Sequence, residues 1–168
     1  SALGTGLDGT VYALAVLPNG DLIAGGTFTT AGGVTMNRIA RWNGIGWTAL
    51  GSGLNGQVSA LAVLPNGDLV AGGSFTMAGG SSANNIARWN GSTWLPLGSG
   101  VNGTVLGLAV LSNGDLVAGG SFTVAGGISA NKIARWNGST WIPLGSGVNG
   151  TILGLSMLNN GDLAAVGF

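Results

Sequence analysis

The sequence has 168 residues, of which 45% are apolar and 6% are charged, and five Lys and Arg residues balance five Asp residues. This apolar fraction is too high for a disordered chain, and zero net charge argues against nucleic-acid binding, which depends on clustered Lys and Arg. The chain has no Cys and no His. This excludes disulfides, thiolate metal sites and the side chain that most often serves as general base or metal ligand. We therefore expect no cofactor, no metal site and no enzymatic activity.

Apolar runs in the sequence are of strand length and are interrupted by Asn-Gly pairs. None approaches the ~20 residues that a membrane-spanning helix needs. No basic segment followed by an apolar segment indicates a signal peptide. We expect no membrane partner and favour an extracellular or secreted location. The start at Ser1, within a repeat, fits a processed protein or a fragment of a longer array.

The tetrapeptide Asn-Gly-Asp-Leu recurs at a spacing of 47 residues and organises the chain. An Asn-Gly pair between two apolar runs is typical of a β-hairpin with a type I′ turn, whose two central residues have positive φ angles. The four occurrences lie at 19–22, 66–69, 113–116 and 160–163. The unit of the chain is therefore predicted to be a hairpin that occurs four times.

This spacing divides a single repeat domain, 1–168, into three complete copies and one partial copy. The copies are residues 4–50, 51–97, 98–144 and, in part, 145–168. The second and third are identical at 38 of 47 positions, which indicates recent duplication or construction from one template. The last segment, Leu163–Phe168, departs from the Gly-Gly-Ser-Phe pattern of the other copies. A specialised terminal edge and a decayed repeat both fit that departure.

Each complete copy is predicted to form four strands and no helix. In the second copy they are Val58–Leu64, Leu69–Phe75, Ile86–Trp89 and Trp94–Leu97. Small residues fill the second strand and bulky Trp residues lie in the last two, as expected of sheets that converge on an axis and spread apart at the rim. The connection 76–85 is predicted to be a loop. The copies differ most there, which makes it a candidate for binding specificity, although drift at a solvated loop would look the same.

A four-stranded unit repeated every 40–50 residues is typical of a β-propeller. The distinctive segments are Leu-Pro-Asn-Gly-Asp-Leu at 64–69, Ala-Gly-Gly-Ser-Phe-Thr at 71–76 and Ile-Ala-Arg-Trp-Asn-Gly at 86–91, followed by Trp94 and Leu97-Gly98. Through them the chain resembles bacterial tandem-repeat β-propellers of the Kelch-like and delta-60-like kind. It is less closely similar to tachylectin-type lectin propellers. The WD dipeptide and Gly-His pair of a typical WD40 repeat are absent. The resemblance implies an all-β propeller of four-stranded antiparallel blades.

About three and a half blades per chain do not close a ring, because propellers have about 4–8 blades. An open arc would expose the apolar faces and unpaired edges of its terminal blades. We therefore expect the ring to be closed by homo-oligomerisation, with a homodimer as the simplest assembly. The partial copy duplicates the half-blade that 4–28 already supply, so the blades at the junction are expected to be unusual.

One Asp and one Arg recur in each complete copy, such as Asp68 and Arg88. A single Asp per copy cannot supply the 6–8 oxygen ligands of calcium, so the Asp is interpreted as a turn residue that accepts hydrogen bonds from backbone amides. We also predict an Asp–Arg ion pair within the blade. Replacing Arg88 alone should then destabilise the chain more than replacing both residues.

Two Trp residues in each complete copy form the motif Trp-Asn-Gly-x-x-Trp. Exposed Trp rings stack on sugars, and repeated sites would add avidity. Large aromatic side chains also pack in protein interiors, and this alternative stays open. The second Trp of each motif is the better candidate for ligand binding. These candidates are Trp47, Trp94 and Trp141.

The sequence favours a non-catalytic β-propeller scaffold or interaction module that self-assembles. It would be a natural secreted protein, a fragment of a longer propeller, or a model propeller built by repeat duplication. The alternative is a multivalent, lectin-like propeller whose partner is a carbohydrate. A shift in intrinsic Trp fluorescence with a panel of sugars distinguishes the lectin from the scaffold.

Overall fold

The computed structural model describes residues 3–168, so the first two residues of the predicted domain lie outside the described part. Regular structure in the described part consists of β-strands, without an α-helix. Accordingly, residues 3–168 contain no helix of the length and apolarity needed to cross a membrane.

The strands follow the repeat. The first copy forms β1 (Val11–Val16), β2 (Leu22–Gly26), β3 (Thr30–Ala31), β4 (Val34–Thr35), β5 (Ile39–Trp42) and β6 (Trp47–Ala49). The second forms β7 (Gln57–Val63), β8 (Leu69–Ser74), β9 (Met77–Ala78), β10 (Ser81–Ser82), β11 (Ile86–Trp89) and β12 (Trp94–Pro96). The third forms β13 (Val105–Val110), β14 (Leu116–Gly120), β15 (Val124–Ala125), β16 (Ile128–Ser129), β17 (Ile133–Trp136) and β18 (Trp141–Pro143). The partial copy forms β19 (Ile152–Met157) and β20 (Leu163–Gly167).

Each complete copy folds into one four-stranded antiparallel sheet. Sheet 1 has the order β1-β2-β5-β6, sheet 2 β7-β8-β11-β12 and sheet 3 β13-β14-β17-β18. Strands β19 and β20 pair as a C-terminal hairpin. The first strands of neighbouring sheets, β1, β7, β13 and β19, contact one another in turn, so the sheets radiate from a common inner edge. The predicted all-β architecture of four-stranded antiparallel sheets is confirmed.

Strand bounds agree closely with those predicted for the second copy. The third strand, Ile86–Trp89, has the predicted ends, and the other three each end one residue early, with β7 also beginning one residue early. Residues 76–85, predicted as a loop, contain the small hairpin β9–β10. Gly79 and Gly80 both have positive φ angles and form its tight turn, which lets two very short strands pair.

The turn between the first and second strands is not of type I′. The amide of Gly67 donates to the Leu64 carbonyl at 2.9 Å, the Leu64 amide donates to the Asp68 carbonyl at 2.8 Å, and Gly67 has a φ of 87° while Asn66 is not in the positive region. This pattern is a type I turn followed by a left-handed residue. Pro65 favours it, because its ring fixes φ near −65° at the second turn position. The predicted hairpin is present, and the predicted turn type is wrong.

The core lies between neighbouring sheets, where a β-branched side chain of one sheet fits against a glycine of the preceding sheet. A Cβ atom on Gly25 would lie 2.5 Å from Val58 Cγ1, and one on Gly72 would lie 2.5 Å from Val105 Cγ1. Only glycine leaves room for so close an approach. We call these glycines notch residues and the side chains that fill them knobs. The three pairs are Gly25 with Val58, Gly72 with Val105, and Gly119 with Ile152.

Candidate functional site

A groove of about 370 Å³ separates sheets 2 and 3 at the end of the sheets where the β7–β8 and β13–β14 turns lie. Strands one and two of a sheet, and strands three and four, are joined at this same end because the sheet is antiparallel. Sheet 2 contributes 64–66, Arg88, Pro96 and Leu97, and sheet 3 contributes 113–116 and 136–138. The volume falls within the range of small-molecule sites.

The groove carries one cationic and one anionic side chain on opposite walls, Arg88 of sheet 2 and Asp115 of sheet 3. Arg88 Nη1 lies 3.1 Å from Asp68 Oδ2, and Asp115 Oδ2 lies 3.1 Å from Arg135 Nη1, so each charge is also paired within its own sheet. A paired guanidinium and carboxylate still offer free donors and acceptors to a ligand. The walls therefore suit a neutral polar molecule better than an ion.

The predicted Asp–Arg pair is present in all three complete copies, including Arg41 with Asp21 at 3.5 Å. Its Arg side chains are 33–40% exposed, so the pairs border solvent instead of lying in the core. The Asp has a different turn role from the one predicted. The Asp68 amide donates to Asn66 Oδ1 at 3.1 Å, and Asn66 Nδ2 donates to Asp68 Oδ2 at 3.0 Å. In this turn the side chain of Asn66, and not that of Asp68, accepts a hydrogen bond from a backbone amide.

A double-mutant cycle on Asp68 and Arg88 measures the pair. Because Arg88 is 37% exposed, we expect a coupling free energy of about 0.2–1 kcal/mol, as in other solvent-bordering ion pairs. Asp68 is 15% exposed, so Arg88→Ala alone should lower the urea midpoint more than the double variant does. Additive effects of the two single substitutions would mean that the pair contributes nothing to stability.

The aromatic wall of the groove is Trp136, the first Trp of its motif, which is half-buried. Its ring centroid lies 5.5 Å from that of Trp141 at an interplanar angle of 54°, so the two rings hold each other in place. The prediction concentrated on the second Trp and missed the first as a groove residue. The strand order supplies the missing signal, because it brings the end of β17 beside the β13–β14 turn.

The three predicted ligand-binding Trp residues lie in three different sheets and do not form one site. Trp94 and Trp141 are buried, and Trp47 is half-buried. Each indole Nε1 donates to a carbonyl 44 residues earlier in the chain: Trp47 to Leu3 at 3.0 Å, Trp94 to Leu50 at 2.9 Å and Trp141 to Leu97 at 2.9 Å. The Trp94 and Trp141 bonds tie consecutive copies together, and the Trp47 bond ties the first copy to the residue that precedes it. A role in ligand binding stays a prediction for all three residues.

At the opposite end of the sheets, one polar side chain in each complete copy holds the segment that follows the second strand. Asn55 Oδ1 accepts from the Thr76 amide at 3.0 Å and the Met77 amide at 2.9 Å. In the first copy the equivalent residue is Asp8, whose carboxylate accepts from the hydroxyl and amide of Thr29 and the amide of Thr30. The Thr29 hydroxyl and these amides hold the pKa of Asp8 well below its usual range.

Asp8 should make the stability of the first copy sensitive to acid. A depressed pKa means that the stabilising contribution is present above the ordinary Asp value of about 3.9 and is lost as the pH falls through the folded value. We expect the urea midpoint of Asp8→Asn to fall less between pH 5 and pH 2 than that of the wild type, since Asn occupies this position in the second copy. As the converse control, Asn55→Asp should increase the acid sensitivity.

The sequence matches two family models, both of β-propeller domains. The model described as the Rax2 C-terminal β-propeller domain matches residues 45–140, which is more than half of the chain. The model described as a β-propeller domain of unknown function, DUF5122, matches residues 17–44. None of the curated proteins compared with the chain matches it in sequence.

Three solved structures illustrate the likeness in fold. The extracellular domain of a one component system from B. thetaiotaomicron is 12% identical, with a TM-score of 0.61, over 93% of this chain and 20% of that chain. Virginiamycin B lyase from Staphylococcus aureus is 16% identical, with a TM-score of 0.59, over 98% and 51% of the two chains. YCF48 bound to D1 peptide is 22% identical, with a TM-score of 0.57, over 99% and 50%. The chain thus spans between a fifth and about half of these neighbours.

Proposed function

Since the chain belongs to the Rax2 C-terminal β-propeller domain family, we propose that it is a non-catalytic propeller module that self-assembles and presents the groove between sheets 2 and 3 to other molecules. The observation that supports self-assembly is an uncovered apolar face on sheet 1. Val11 and Leu14 are 37% and 61% exposed there. Val58 and Val105, which correspond to Val11 in the next two copies, are buried beneath the preceding sheet. An exposed face of this kind is typical of an interaction surface.

The groove between sheets 2 and 3 supports binding rather than catalysis. It lies within the part of the chain that the Rax2 domain model matches. Its carboxylate, Asp115, is paired with Arg135, and the sequence has no His or Cys to serve as base or nucleophile. An extracellular role is part of this proposal, supported by the extracellular neighbour described above.

Solution mass tests the self-assembly. Light scattering on a sizing column should give a homodimer near twice the chain mass of 16.4 kDa. A Val11→Asp, Leu14→Asp variant should elute as a monomer with an unchanged circular dichroism spectrum, since both side chains lie on the exposed face. A monodisperse wild-type monomer across the concentration range would contradict self-assembly.

Carbohydrate binding is the second candidate function, and the lining of the groove favours it. A sugar ring could stack on Trp136 while its hydroxyl groups bond to Arg88 and Asp115. In this arrangement the buried Trp141 supports Trp136 and does not touch the sugar. Intrinsic fluorescence titrated with a sugar panel should shift for the wild type and not for Trp136→Ala. Arg88→Lys is a second test that keeps the charge. A flat response of the wild type to all sugars would contradict this function.

A further inference from the structure

The C-terminal hairpin differs from the three sheets at the position of the notch residue. Counting in steps of the repeat, the notch glycines Gly25, Gly72 and Gly119 are followed by Val166. Val166 lies on β20 and is 65% exposed, on the face that in sheets 1–3 is covered by the next sheet. The C-terminal hairpin therefore has no notch at this position.

Sheet 1 carries a knob that no notch residue covers in the described chain. In each internal interface the notch glycine meets two side chains of the next sheet, a valine or isoleucine and a leucine three residues later; at Gly72 these are Val105 and Leu108. The equivalent pair on sheet 1 is Val11 and Leu14, and both are exposed. Sheet 1 thus exposes the two side chains that would pack against a notch glycine.

The internal geometry shows what would happen if a second copy placed this knob on the C-terminal hairpin. A mere Cβ atom at Gly119 would lie 2.7 Å from Ile152 Cγ2 and 3.1 Å from Leu155 Cδ1. Val166 has a Cβ atom and two further methyl groups, and valine is stiff at χ1, so it cannot turn aside cheaply. The Val11 side chain of a second copy cannot reach the depth that Val58 reaches at Gly25.

We propose that a second copy docks its sheet 1 face on the C-terminal hairpin and that Val166 weakens this head-to-tail contact by filling the notch. This inference rests on the self-assembly proposed above. The junction between copies is then wider than the interfaces within the chain, and it dissociates more readily. Val166 sets the strength of association without touching the groove between sheets 2 and 3.

Sedimentation equilibrium of Val166→Gly against the wild type tests this inference. Opening the notch should tighten self-association at least tenfold, and adding Val11→Asp to the same chain should abolish the gain. Ala165→Gly is the matched control, because it also introduces a glycine into β20, one residue away, where the side chain points to the other face of the hairpin. Circular dichroism of all four proteins verifies that they fold.

The outcomes separate this inference from the proposed function. A Val166→Gly chain that associates more tightly supports the inference, and it does so even if the wild type is a monomer, in which case self-assembly of the wild type fails alone. Equal association of Val166→Gly and wild type overturns the inference, whether or not the wild type is a dimer. A tenfold gain for Ala165→Gly, or a gain that survives Val11→Asp, overturns it as well.

Discussion

Replacing Trp94 by alanine lowers the free energy of unfolding by about 3–5 kcal/mol, the range for truncating a buried Trp. Trp94 is in contact with three parts of the chain. Its Nε1 donates to the Leu50 carbonyl at the end of sheet 1, its ring lies 5.5 Å from that of Trp89, and its Cβ lies 3.0 Å from the Cβ position of Gly79 in the small hairpin. Truncation therefore loosens the sheet interface and the small hairpin together.

Trp94→Phe removes the hydrogen bond and only part of the packing. The Leu50 carbonyl also accepts from the Gly53 amide at 3.2 Å, so it keeps one partner when the indole is lost. The cost of this variant should then exceed the net value of one hydrogen bond, about 0.5–1.5 kcal/mol, by the packing of the lost ring atoms, and stay below the cost of Trp94→Ala. Trp47→Phe is the matched control, because its bond to Leu3 lies at a half-buried position and should cost less. Urea unfolding followed by circular dichroism at fixed protein concentration measures all three variants. Equal losses for Trp94→Ala and Trp47→Phe would contradict the packing role.

The strands could be predicted from the sequence because each one is bounded by residues of strong local preference. One Asn-Gly pair follows β7 and another follows β11, and the apolar runs that form these strands have no helical period. This is why Ile86–Trp89 has the predicted ends. The turn type was missed because the loop has three residues and not two, and a three-residue loop favours a type I turn followed by a left-handed residue. Pro65 suits this turn, but the same hydrogen bonds form where Ser112 and Asn159 replace the proline.

The site could be predicted only in part, because it lies between copies and not within one. Trp136 and Trp141 are residues of the same type, and the sequence alone does not say which of the two rings lines the groove. The answer depends on the hydrogen bond from the Trp141 indole to a carbonyl 44 residues earlier, a contact set by the packing of two sheets. The departure of Leu163–Phe168 from the repeat pattern was visible in the sequence. Its meaning depends on knowing that Gly72 receives Val105, which only the packed structure supplies.

Replacing Gly72 by alanine is the second substitution with a large expected effect. In an open strand this change would stabilise a protein slightly, by restricting the unfolded chain. Here the added methyl group would lie 2.5 Å from Val105 Cγ1 and 3.0 Å from Val105 Cβ, atoms held by a stiff, fully buried side chain. We expect a loss of about 1–3 kcal/mol, the usual cost of overpacking.

Two further variants make this result specific to the notch. Gly46→Ala has no atom within 4 Å of the new methyl group and a φ outside the positive region, so it should not lower the urea midpoint and should raise it slightly. Val105→Ala removes the knob and leaves a cavity. In the double variant, the methyl group added by Gly72→Ala fills part of that cavity. The double variant should therefore be more stable than the sum of the two single losses predicts. Additive losses, or a Gly72→Ala chain as stable as Gly46→Ala, would mean that neighbouring sheets are not held by a knob in a notch.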